Sequence, residues 1–172
     1  MTPIAVLHTA LGVTALATGA VVLARRKGDS PHRIVGRVYV GAMVALCGLS
    51  FGLRSSTPLF EGLGPFHVAA LVSLGTVLAG FWSAWRRRPG WLPWHYMWMA
   101  WSYIGLVMAT GGHVVQPVFR GLLEAGVPRG VSVGAAIALA WAVPPLIGRW
   151  WIGRQQPGWD RLDVRPETPS AG

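Results

Sequence analysis

Long apolar runs alternate along this chain with short bursts of charge. Five runs approach or reach the roughly 20 residues that one helix needs to cross a bilayer. They extend from Pro3 to Ala24, Ile34 to Leu53, Pro65 to Trp85, His95 to Val115 and Val131 to Trp151. Lipid gives such helices no hydrophobic reason to associate, so contact faces are expected where small residues recur at helical spacing. On the first helix these are Gly12, Ala15 and Gly19, with His8 one turn earlier on the same face. On the second they are Gly41, Gly48 and Gly52, the last two forming a GxxxG that suits a homodimer as well as intrachain packing. On the fourth they are Ser102, Gly105, Ala109 and Gly112. Pro144 and Pro145 lie inside the fifth run and predict a kink, because neither can donate to the preceding turn and the freed carbonyls need other partners. The pattern predicts an all-α integral membrane protein, a bundle of five transmembrane helices built as a four-helix core plus a Pro-kinked fifth. Residues 1–153 form its single transmembrane domain, and the tail 154–172, with Pro157, Pro166 and Pro169, is expected to be disordered.

Charge gives this bundle a direction. Lys and Arg gather on the cytoplasmic side of membrane proteins. Arg25, Arg26, Lys27, Arg33 and Arg37 follow the first run, Arg86, Arg87 and Arg88 follow the third, and Arg149, Arg154, Arg161 and Arg165 follow or end the fifth. Only Arg54, Arg120 and Arg129 fall on the other side. The N-terminus is therefore expected outside and the C-terminus in the cytoplasm. No charge precedes the first run, so it reads as an uncleaved helix rather than a signal peptide. Trp82, Trp85, Trp91, Trp94, Trp150 and Trp151 cluster at the basic ends, as an interfacial aromatic belt does.

Composition narrows the chemistry. Of 172 residues 52% are hydrophobic and only 12% charged, which excludes a disordered chain and an ordinary nucleic-acid-binding domain despite the net charge of +9. The single cysteine, Cys47, permits no internal disulfide, thiolate cluster or c-type haem attachment. All six acidic residues (Asp29, Glu61, Glu124, Asp160, Asp163, Glu167) fall in loops or tail, leaving no carboxylate for ion coupling at mid-membrane. The absence of an internal repeat also argues against a transporter.

The histidines carry what chemistry remains. His8, His67 and His113 are expected at the outer helix ends, and His32 and His95 at the cytoplasmic ends. His95 and His113 are 18 residues apart, five turns, so they share one face of the fourth helix about 27 Å apart. Imidazole ligates haem iron, copper and zinc. Two levels of histidine suit two haems and a transmembrane electron path, and the outer trio His8, His67 and His113 alternatively suits a metal ion. Histidines at these depths also serve as packing and hydrogen-bonding residues. Arg33 and Arg37, beside His32, form a candidate clamp for an acidic head group or a haem propionate, or a contact for anionic lipid.

Several of these residues together resemble a family. His8, Lys27-Gly28, the run His32-Arg33-x-x-Gly36-Arg37-x-Tyr39, His67, and His95-x-Met97 with Ser102-Tyr103 are similar to the bacterial membrane proteins grouped as domain of unknown function 2306. The resemblance covers about residues 4 to 115 and departs at Trp101, where many members carry Arg. It implies a small multi-pass protein of the bacterial cytoplasmic (inner) membrane, with no settled activity. His113 falls outside the pattern, so the resemblance implies an outer pair, His8 with His67, and an inner pair, His32 with His95. By analogy with small cytochromes b, two such pairs suit two bis-histidine haems. The leading expectation is thus a redox or cofactor-handling protein that binds haem b, or copper or zinc, and meets a redox partner. The rival is a non-catalytic subunit or assembly factor of a respiratory complex, in which the histidines are structural.

Overall fold

The computed structural model describes residues 2–25, 27–53 and 64–159. Arg26, Arg54, Glu61 and residues 160–172 of the tail lie outside them. The described residues form helices α1 (Pro3–Ala24), α2 (Ser30–Ser50), α3 (Pro65–Arg86), α4 (Trp91–Glu124), α5 (Arg129–Ile137) and α6 (Val143–Trp159), with a π-helical turn at Ala138–Ala142. Among the described residues, four apolar stretches are long enough to cross a membrane: α1, α2, Phe66–Arg86 and the rod Arg129–Arg154. α4 is less apolar, because Trp, Tyr and His crowd its first half, but it is the longest helix and packs against α1, α3, α5, the π turn and α6.

α2 and α4 depart from the bounds that the apolar runs predict. α2 begins four residues earlier than Ile34, because Asp29 caps it by accepting from the His32 N–H at 2.7 Å and Pro31 lies in its first turn. Gly28, at φ +87°, takes the left-handed turn residue just before that cap. α4 spans 34 residues, about 51 Å, and so outruns a hydrocarbon core of about 30 Å. The irregularity expected at Pro144-Pro145 takes the form of the π turn. A regular helix would leave the carbonyls of Ala140 and Trp141 facing imino nitrogens that cannot donate, and the wider turn precedes that point. α6 continues to Trp159, so residues 154–159 of the tail are helical.

α1 to α4 close a ring, each packing on the next and α1 on α4. Its core joins Ala15, Tyr39, Ala42, Met43, Leu46, Val77 and Leu106. The rod α5–α6 lies outside the ring, packed on α4 through Ala100, Ile104 and Ile152, and Trp141 of the π turn meets Phe66 of α3 with ring centroids 6.1 Å apart. Large apolar side chains point the other way: Val13 is 61% exposed, Leu71 61% and Leu146 66%, which suits faces wetted by lipid. Two of the expected small-residue faces form the contacts. On α1, Ala15 and Gly19 are buried. On α4, Ser102 is fully buried and a Cβ at Gly105 would meet Ser73 Oγ at 2.8 Å. The α2 stripe does not: nothing lies within 4 Å of a Cβ at Gly41 or Gly48. α2 packs instead through Tyr39, Met43 and Leu46, whose larger side chains fill the space that α1 leaves.

Arginine–aromatic stacking marks the basic end of the bundle. Arg86 lies 4.6 Å over Trp82, Arg87 5.8 Å over Trp91 and Arg154 4.1 Å over Trp150.

Candidate functional site

The histidines fall at two ends of the ring, and their nitrogens are used differently. At the N-terminal end, His67 is buried and both ring nitrogens are engaged. Nδ1 accepts from the Gly64 N–H at 2.9 Å, so Nε2 carries the proton and donates to the Leu53 carbonyl at 2.9 Å. His67 therefore caps α3 from its third position and ties that helix start to the chain just after α2. His113 is exposed and stacks on Phe66, with centroids 5.4 Å apart and planes inclined by 15°. His8 lies within electrostatic reach of His113, and its Nδ1 is buried without a hydrogen-bond partner.

At the basic end, His95 Nδ1 donates to the Gly80 carbonyl at 2.8 Å. That bond fixes the ring against α3 and leaves the Nε2 lone pair as the free nitrogen. His32 projects from α2 on the same face as Tyr39 and Met43, two and three turns further on. It lies within electrostatic reach of His95, Lys27 and Asp29, and its Nδ1 is buried without a partner. Lys27 donates to the carbonyls of Val22 at 2.8 Å and Leu23 at 2.7 Å, closing the end of α1, and burial lowers its ammonium pKa. Arg33 and Arg37 are exposed on a different side of α2 from His32. As expected, His95 and His113 share one face of α4, the face turned to α3. Among the described residues, no three His, Cys, Asp or Glu side chains come together as a metal-binding group.

Between the two ends lies a polar contact that the motif residues build. Tyr39 and Ser102 are 63 positions apart and share a buried hydrogen bond of 2.8 Å. Ser102 Oγ donates to the Met99 carbonyl at 2.8 Å, so the Tyr39 hydroxyl donates to Ser102. The Tyr103 hydroxyl reaches the Leu16 carbonyl of α1 at 3.3 Å, and the two tyrosine rings are 6.4 Å apart. Gly19 sits under both rings, where a Cβ would overlap Tyr103. The pieces His32–Tyr39 and His95–Tyr103, remote in sequence, are thus one assembly in the basic half of the ring. Tyr39, Ser102, Tyr103, Lys27 and Gly80 belong to it beside the histidines. The signal for the first three was their place in the motif, whereas no local pattern marks Gly80 as the carbonyl that holds His95.

A ring of helices with apolar outer faces, an Arg–Trp band at one end and histidines at both ends is an α-helical membrane protein with several membrane-crossing segments. The chain belongs to the family described as "predicted membrane protein (DUF2306)", which it matches over residues 5–152. That match takes in α5 and most of α6 as well as the four-helix ring. No curated protein and no solved structure matches the chain.

Proposed function

We propose that the basic end of the ring is a histidine-ligated cofactor site, with His32 and His95 as the two ligands and haem b as the cofactor. One observation carries this reading: α2 and α4 each present an imidazole at the basic end, each with a nitrogen that no protein group engages, and one ring is oriented by a backbone carbonyl. Such orientation is how proteins aim a ligating histidine. Two nitrogens suffice for the axial positions of a haem, whereas a zinc or copper site takes three or four donors. The donor set therefore favours haem b over copper or zinc. Bound haem would supply one-electron chemistry, and the protein would hold and orient it. At the other end His8 and His113 are the pair with an open nitrogen, so a second level would rest on them, with His67 as a helix-capping residue. A redox partner would then exchange electrons at one face of the membrane. Protein expressed with ample haem is expected to show a Soret band and sharp reduced α and β bands, with iron in proportion to chain. A featureless spectrum without bound iron would remove this reading.

A second reading draws on His67, whose two backbone bonds are those of a structural residue. In it the other histidines also serve packing, and the protein acts as a non-catalytic subunit or assembly factor.

Either reading includes five crossings in the cytoplasmic membrane of a bacterium, with α4 as one of them, the N-terminus outside and the basic end inside. The support is the one-sided Lys/Arg distribution and the central place of α4. A green fluorescent protein fused to the C-terminus should fluoresce, whereas alkaline phosphatase at that position should be inactive. The reverse pair of results would invert the orientation.

A further inference from the structure

α1 and α6 both pack on α4 but not on each other, and the gap between them is a cleft of about 440 Å³ with α4 as its floor. Ala20 and Ala24 of α1 form one wall, Ile147 and Trp151 of α6 the other, and Ile104 and Val107 lie between them. The volume is that of a small-ligand site. Its polar groups already have partners: the Tyr103 hydroxyl donates to the Leu16 carbonyl, and Trp151 Nε1 donates to the Tyr96 hydroxyl at 3.1 Å. A ligand inside must therefore be a chain without polar atoms, which disfavours a quinone ring in need of donors. The end of the cleft is different. Ala24 is the last residue of α1 and Arg25 follows it. Arg154 lies one turn beyond Trp151 and two beyond Ile147, on the same side of α6. Both arginines are exposed. Asp29, the only acidic side chain at this end among the described residues, is engaged with the His32 N–H.

We propose that this cleft holds one anionic phospholipid, an acyl chain lying between α1 and α6 and its phosphate between Arg25 and Arg154. The inference is independent of any haem. Apolar walls with a cationic mouth match the two ends of such a lipid, and each basic residue at a membrane surface favours an anionic head group about five-fold. The test uses the full chain, reconstituted in vesicles of equal parts phosphatidylglycerol and phosphatidylcholine and then released for native mass spectrometry. One phosphatidylglycerol is expected to remain on each chain. Ala20→Phe with Ala24→Phe fills the cleft from exposed positions and should abolish this adduct with helicity unchanged. Arg25→Gln with Arg154→Gln should keep an adduct but lose the preference for phosphatidylglycerol. Should the phenylalanine variant not fold, the arginine variant decides alone. The proposal is overturned if the native protein retains no lipid, or retains both lipids equally. It is also overturned if the adduct survives in a folded phenylalanine variant, or if protein from cells carries a quinone or a second copy of the chain there instead.

Discussion

Gly19→Leu is expected to loosen α1 from the other helices more than any other single glycine substitution on α1 or α2. Gly19 faces two tyrosine rings: a Cβ there would overlap the Tyr103 ring and lie 2.9 Å from Tyr39. Neither ring can swing aside freely. The Tyr39 hydroxyl is held by Ser102, and that of Tyr103 by a carbonyl of α1 itself. Overpacking a tight contact costs about 1–3 kcal/mol, and leucine at this point belongs at the upper end, with Gly19→Ala smaller but of the same sign. Gly48→Leu is the contrast, since nothing lies within 4 Å of that position and the substitution should be nearly neutral. Tyr39→Phe should fall between them, because interhelical hydrogen bonds in membranes average about 0.6 kcal/mol. Unfolding in a denaturing-detergent titration, followed by circular dichroism, ranks the four. A wild-type midpoint for Gly19→Leu with a large loss for Gly48→Leu would mean that α1 docks through a different face.

The same glycines show how far the sequence could be read. Helical spacing located α1 almost to the residue and identified the packing faces of α1 and α4, because a stripe of small residues on those helices is also where backbones come close. On α2 the rule failed for a physical reason. A small residue permits close approach but does not compel it, and Tyr39, Met43 and Leu46 made the larger contact on another face. The N-terminal turn of α2 was hidden because Asp29 and Pro31 specify it through capping, which apolar runs do not register. The Tyr39–Ser102 bond was beyond sequence spacing altogether, since only the folded ring sets two residues 63 positions apart against each other. His67 had a local clue in its distance of three from Gly64, but a helix start inside a Gly- and Pro-rich stretch does not announce which side chain will close it.

The five histidines should therefore separate by function when replaced one at a time. Under the proposed haem reading, His95→Ala and His32→Ala are each expected to abolish haem binding at the basic end almost completely, with the helices intact. His67→Ala should behave oppositely. It leaves the Gly64 N–H and the Leu53 carbonyl without their partners, a cost of about 1–3 kcal/mol for a buried group, but takes no axial nitrogen away. Its expected signature is a lower unfolding midpoint at unchanged haem content. His8→Ala and His113→Ala should leave the basic-end spectrum untouched and lower iron per chain only where a second haem is bound. Reduced-minus-oxidised spectra, iron analysis and unfolding on the same samples resolve these cases. Equal haem loss in His67→Ala and His95→Ala would contradict the division between capping and ligating histidines, because His67 has no free nitrogen to lose. If every histidine variant lost stability and the native protein carried no iron, all five would belong with His67, as residues that hold helix ends together. The difference rests on two nitrogens, Nε2 of His95 and Nδ1 of His32. A structural role gives these atoms no partner, whereas a bound cofactor would draw on the unengaged imidazole edges of both residues.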